Sequence, residues 1–285
     1  MHSARTVFRL DRHIFQSWAT NPRIYLAFLM NALVASVMST RLLKFSQYHS
    51  EPINVLEPLI ISASEANIAV FLPLGFLLLL ADAPFVTTRT TYELIRVGKE
   101  DWVKAQLIYI FVSGMVFYLF TALVSGLLVA SNAYIANIWS KPLYLLTQGD
   151  TTAIRLFQLG FEYPEFISRL RPIAAWMQAL TLSMLYGVVL GMILFTFNLH
   201  GHALGWILAI LIHLIGYVGI RSAFLFVIPS KLWLFAYSLP TWLDGKGMFG
   251  VLPFAAYILF FVLILLLSAL AMLFGKRATF VRRGT

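Results

Sequence analysis

From Ile173 to Phe197 the chain runs without a charged residue, and five more long apolar stretches accompany it, at about 22–38, 59–80, 103–129, 204–220 and 251–274. The hydrocarbon core of a bilayer is about 30 Å thick, and a helix needs roughly 20 apolar residues to cross it. Stretches of this length predict membrane spans. They are unbroken rather than alternating, so the spans are helices and not barrel strands. The chain is 60% hydrophobic and 12% charged. Soluble domains sit near about 45–50% and about 25%, which excludes that class. The expected fold is an all-α integral membrane protein with six transmembrane helices in a single domain, 1–285.

The ends of these spans carry the orientation signal. His2–Thr20 is amphipathic: on a helix Val7, Leu10, Ile14, Phe15 and Trp18 share one face, with Arg5, Arg9 and Arg12 elsewhere. That predicts an interfacial helix over 1–21, ahead of a first span opened by Pro22 and ended by Arg41 and Lys44. Six spans place both termini on one side. Of the 21 Lys and Arg residues, 12 fall in the N-terminal segment, the 81–106 loop and the C-terminal tail, and 9 on the opposite side. The excess lies close to span ends, so that side is expected to be cytoplasmic, in a multi-pass protein of the cell membrane. The net charge of +9 is accounted for in this way, and nucleic acid is not expected as a partner. With no Cys, disulfides, thiolate catalysis and Cys-ligated metals are excluded.

Three connections are unusual. Ser131–Pro172 is a mixed-polarity extracytoplasmic segment, too long for a plain loop. Residues 224–250 are apolar but interrupted by Pro229, Lys231, Pro240 and Asp244, which predicts two short re-entrant pieces before span 6. Asn198–Ala203 is a tight turn. Trp176, Trp206, Trp233 and Trp242 read as interface anchors. No internal repeat is apparent, so an inverted-repeat carrier is not supported.

Polar residues inside the spans are the other candidates. Glu65 and Asn67 in span 2 and His213 in span 5 are translocation-path candidates, because a polar or ionisable group at bilayer depth must be paired, wetted or functional. For His213 a packed neutral imidazole bonded to a neighbouring helix is the stronger reading. His200 and His202 lack a third ligand in reach, so no metal site is expected. No HExxH, GxSxG or other catalytic pattern is present, so no catalytic residue is assigned. No GxxxxGK[ST] loop is present, so no cofactor is expected in this chain.

The 81–106 connection, ADAPFVTTRTTYELIRVGKEDWVKAQ, is the most charged interval between two spans. Thr87 or Thr88 can cap a short helix and Gly98 can end it. Arg89, Glu93 and Arg96 form a mixed-charge ridge at i, i+4, i+7, with Tyr92 and Ile95 on an adjacent face. A helix of about 10 residues is marginal in water and needs a surface or a partner to hold it. Beyond Gly98, Glu100 and Asp101 suit the first turn of span 3.

Together the amphipathic N-terminus, six spans, the loop helix and its YELIRVGKEDWVKAQ phrase, the tight 198–203 turn and the broken segment before span 6 resemble the permease of ABC-2 type ABC transporters. The resemblance covers the whole chain in topology, while its sequence motif is short. It implies that residues 88–97 are a cytoplasmic coupling helix seated in a separate ABC ATPase, with Arg89, Tyr92, Glu93, Ile95 and Arg96 as the coupling residues. It also implies a dimer with a second permease copy or paralogue, and spans 1, 2 and 5 facing the path. Export of an amphipathic or hydrophobic cargo (peptide, lipid-linked molecule or drug) is the expected function. The 131–172 segment is longer than is typical of that family. A polytopic membrane enzyme using Glu65, His213 and His200 or His202, and a secondary carrier or channel using Glu65, are the alternatives.

Overall fold

The computed structural model describes residues 15, 17–84, 98–161, 163–201, 203–221, 230–243 and 250–277. Ten helices are defined among them. Five are long and apolar enough to cross a membrane: α1 (Pro22–Tyr48), α4 (Lys99–Leu127), α8 (Pro172–Asn198), α9 (Leu204–Arg221) and α10 (Pro253–Arg277). A sixth candidate is the bent pair α2 (Glu57–Ser64) and α3 (Ala66–Leu79). The remaining helices, α5 (Lys141–Thr147), α6 (Thr151–Phe157) and α7 (Pro164–Arg169), are short. The only sheet among the described residues is a two-residue parallel bridge, β1 (Ile53–Asn54) with β2 (Ala133–Tyr134), in the register Ile53–Ala133 and Asn54–Tyr134.

Helix α8 is the central post. It packs on α2, α3, α4, α9 and α10, and 78% of its apolar window is enclosed, against 22% for α10. Its sequence is apolar on all sides, the pattern of a helix buried all round. The other long helices keep a lipid-ready face: Leu26, Leu29 and Leu33 on α1, and Phe111, Met115 and Leu119 on α4, are exposed at helical spacing.

The first two spans differ from the sequence expectation. Helix α1 does not stop near residue 38 but continues to Tyr48. Leu42 and Phe45 in the added turns are fully buried, while Lys44 between them is exposed. At about 1.5 Å per residue, 27 residues reach about 40 Å, beyond the hydrocarbon. Arg41 and Lys44 therefore do not end the helix.

The stretch 59–80 is not one straight span either. The chain bends by 87° between α2 and α3. Both pieces pack on α1 and α8, so the bend lies inside the bundle. All eight residues of α2 are buried.

Above α2 sits a cap. Residues 131–170, with α5, α6 and α7, close over α2 and the last turns of α1, and all share one hydrophobic cluster that includes Met38, Phe45, Ile60, Trp139, Leu143 and Phe166. Trp139 Nε1 donates to the carbonyls of Ile167 and Leu170, at 3.1 and 2.8 Å, and staples the two ends of the cap together. The cap is thus an extension of the same domain.

Before α10, the described part of 224–250 forms three 3-10 turns, Ser230–Leu232, Leu234–Ser238 and Pro240–Trp242, in place of the expected re-entrant helices. Phe235, Ala236, Leu239 and Leu243 are nonetheless buried, packed with α8, α9 and α10. Irregular backbone at this depth is tolerated where protein surrounds it. Trp233 is also buried, and not an interface anchor. Its indole lies where a Cβ on Gly219 of α9 would stand, 2.7 Å away, so only glycine admits it.

Candidate functional site

Two places collect the polar side chains. One is the end of the bundle where both stems of the 81–106 connection emerge. Arg89, Tyr92, Glu93, Ile95 and Arg96 lie outside the described residues, but the stems on either side of them are described in detail.

The first stem, Ala81–Pro84, is held by three helices. Arg23 of α1 forms an ion pair with Asp82, and the α1 cap residue Asn21 donates to the same carboxylate at 3.5 Å. From the end of α8, Asn198 Nδ2 donates to the Ala83 carbonyl at 2.9 Å. From α9, Trp206 Nε1 donates to the Ala81 carbonyl at 3.3 Å. Asn198 does a second thing: its Oδ1 accepts from the Gly205 amide at 2.9 Å, closing the tight turn between α8 and α9. The second stem begins at Gly98, whose φ of +86° suits glycine and starts α4. Glu100 pairs with Lys276 of α10 at 2.9 Å, and Lys99 donates to the Lys276 carbonyl at 3.3 Å. Gly98, Lys99, Glu100, Asp101 and Lys276 line an open cleft of about 470 Å³ beside the second stem. Four helices other than α3 and α4 therefore grip the two stems.

The same end holds the described part of the N-terminal segment. Ser17–Ala19 is a single 3-10 turn, and Trp18 Nε1 donates to Tyr109 of α4 at 2.9 Å. Phe15, Trp18 and Tyr109 form one ring cluster, with Phe28 of α1 against Trp18. The rest of the expected interfacial helix, residues 1–14 and 16, lies outside the described residues.

The second place is the break between α2 and α3. Glu65 ends α2 and caps α3, its Oε1 accepting from the Asn67 amide at 3.3 Å and from Asn67 Nδ2 at 2.7 Å. Asn67 Oδ1 in turn accepts from Tyr217 of α9 at 3.0 Å. One turn earlier on α9, His213 Nε2 lies 2.8 Å from the Val70 carbonyl, and His213 Nδ1 lies 2.8 Å from Tyr186 Oη of α8. A carbonyl can only accept, so Nε2 carries the proton and Nδ1 accepts from Tyr186. The three sequence-picked residues Glu65, Asn67 and His213 thus meet at one break. Glu65 and Asn67 are half-buried, while His213 is fully enclosed with both nitrogens engaged. Sequence reasoning missed Tyr186 and Tyr217. Tyr217 stands at i+4 from His213, and that shared face was the available signal.

The other candidates remain apart. His200 is exposed on the turn with its ring against Phe274, and His202 lies outside the described residues. Among the described residues no group of three or more His, Cys, Asp or Glu side chains could hold a metal ion.

The fold and these two sites define an all-α protein built on helices long and apolar enough to cross a membrane. Comparison with known proteins does not narrow this class: no protein-family model, curated protein or solved structure matches the chain.

Proposed function

We propose that this chain is the membrane-spanning permease subunit of an ATP-driven ABC exporter, moving an amphipathic or hydrophobic cargo across the cell membrane, with both termini cytoplasmic. One observation carries the reading: the two stems of the 81–106 connection are tied by side chains to α1, α8, α9 and α10. A solvated loop has no need of such ties. A segment that takes a push from a partner does, because force on residues 88–97 then reaches every major helix. The partner is a separate ABC ATPase, and the resemblance in topology and in the YELIRVGKEDWVKAQ phrase supports it. Two permease copies, or this chain and a paralogue, form the path.

The test is co-purification with an ATPase encoded beside the chain, followed by ATP hydrolysis with Arg89, Glu93 and Arg96 each replaced by Ala. Loss of stimulated hydrolysis supports the reading. No complex, or hydrolysis indifferent to all three changes, contradicts it.

A second reading draws on the break at Glu65. A half-buried carboxylate capping a helix inside the membrane suits an ion-coupled carrier or channel. Transport without any ATPase that is abolished by Glu65→Gln would favour it. The enzyme alternative has less support, since His213 has neither nitrogen to spare for a substrate.

A further inference from the structure

Between Lys104 and Lys141 the chain carries no charged residue, although α4 ends at Leu127. The uncharged run continues past the helix and through the entry of the cap. Ile135 and Ile138, in the loop after β2, are 84% and 69% exposed. Leu123 and Leu127 at the end of α4 are exposed as well, and so are Ile173 and Met177 on the first turns of α8. Asn137 Oδ1 accepts from the Ile173 amide at 3.1 Å, which holds the loop against α8. The loop therefore leaves the end of one helix and touches the start of another, and both helices expose apolar faces there.

The rise of the two helices sets the level of this loop. Lys104 is the last charged residue at the opposite end of α4, and Asn198 ends α8 beside the Ala83 carbonyl. At about 1.5 Å per residue, Leu127 stands about 35 Å from Lys104, and Ile173 about 38 Å from Asn198. The hydrocarbon of a bilayer is about 30 Å thick, and about 40–45 Å with its headgroups. Each helix separately places its end of the loop at the headgroup boundary on the cap side, and any tilt brings it nearer the hydrocarbon. Arg171, exposed just before α8, supplies a cation at that level.

Lipid admits irregular backbone only where the protein pairs its polar groups. The Tyr134 carbonyl accepts from the Val55 amide at 3.0 Å. Asn54, fully buried, donates to the carbonyls of Ala136 and Ile138. Tyr134 Oη adds a second donor to Ile138 at 3.2 Å. The Ser140 amide donates to Glu57 at 2.7 Å. A loop in water has no need of these bonds, because solvent satisfies its carbonyls. Here the carbonyls are bonded within the protein while the isoleucines are left outside.

We propose that the loop 134–138 is a lipid anchor for the cap: Ile135 and Ile138 insert where headgroups meet acyl chains in the leaflet on the cap side, and Arg171 meets the phosphates beside them. The partner is the bilayer, because the patch continues the exposed apolar faces of α4 and α8. The anchor rests on the long helices being spans and requires no ATPase.

The chain lacks cysteine, so Ile135→Cys and Ile138→Cys can each carry an environment-sensitive fluorophore on the full chain in vesicles of phosphatidylcholine and phosphatidylglycerol. Met115→Cys, exposed on the middle of α4, is the depth reference. A lipid nitroxide near the headgroup is expected to quench both loop labels by at least about half, and more strongly than a nitroxide at the acyl-chain end. The Met115 label should show the reverse order. Loop labels that neither nitroxide quenches, with the Met115 label quenched, overturn the anchor and leave the spans standing; disulfide cross-linking of Ile135→Cys between copies would then give the patch to a second copy. A Met115 label that neither nitroxide quenches overturns the spans, and the anchor with them. If one loop variant fails to accumulate, the other decides by the same criterion.

Discussion

Asn198 and Ala83 meet at the end of the bundle, the Asn198 Nδ2 donating to the Ala83 carbonyl at 2.9 Å, 115 residues apart in sequence. Since Asn198 Oδ1 also accepts from Gly205, one side chain joins the α8–α9 turn to the stem of the 81–106 connection. Asn198→Ala leaves a carbonyl and an amide without this partner, at a cost of about 1–3 kcal/mol. Thermal unfolding in detergent should show the loss. In the proposed complex the same variant should lower transport more than it lowers ATP hydrolysis, because the stem is then loose.

Gly205 lets α9 approach the backbone of α8 closely. A Cβ there would stand 2.0 Å from the Leu194 carbonyl, which belongs to the backbone and cannot rotate away. Gly205→Ala should destabilise the chain by at least about 1–3 kcal/mol, the usual range for overpacking. Its folded yield after extraction should fall well below that of the wild type.

Beside the α2–α3 break, His213→Leu takes the donor from the Val70 carbonyl and strands the buried Tyr186 hydroxyl, at a cost of about 1–3 kcal/mol. Tyr217→Phe removes only the donor to the half-buried Asn67 and should cost about 0.5–1.5 kcal/mol. The order of the two midpoints in thermal unfolding checks the assignment of His213 as a brace.

On the cap, Asp150 gives the chain a pH response. Burial works against its charge, but the Thr152 amide and hydroxyl donate to it and His49 lies 3.5 Å away, so its carboxyl is held below the ordinary 3.8. Its contribution is therefore present above 3.8 and lost as pH falls below it. Asp150→Ala also removes the cap of α6, at about 1 kcal/mol. Cap stability in the wild type should fall on acidification below about pH 4, and the variant should not show that fall.

The absence of cysteine makes orientation easy to read. A single cysteine at Lys44 should react with an impermeant maleimide from outside intact cells. One at the C-terminal Thr285 should react only after the cells are opened. The reverse pattern would invert the proposed topology.

The long helices were legible because their apolar runs exceed what any soluble element needs. What lay beyond the sequence was the direction of helices whose burial comes from partners far along the chain. Residues 59–80 read as one span since α2 and α3 are both apolar. Only the Glu65 cap on Asn67 betrays the turn, and glutamate is a weak capping signal. The extension of α1 hid behind Arg41 and Lys44, which look like an end until the cap is seen to bury Leu42 and Phe45 around them. Asn67 and His213 were visible as polar residues in apolar runs. Their meeting at one break required knowing that α3 and α9 both lean on α8.

The central claim is that residues 88–97 seat in an ATPase. Single cysteines at Tyr92 and at Ile95, each in the otherwise cysteine-free chain, carry a short photo-crosslinker in membranes that contain the candidate ATPase partner. The account predicts a crosslinked adduct of permease and ATPase from both positions and none from a cysteine at Lys44 on the cap end. No adduct from either loop position, with the ATPase present and folded, would contradict it.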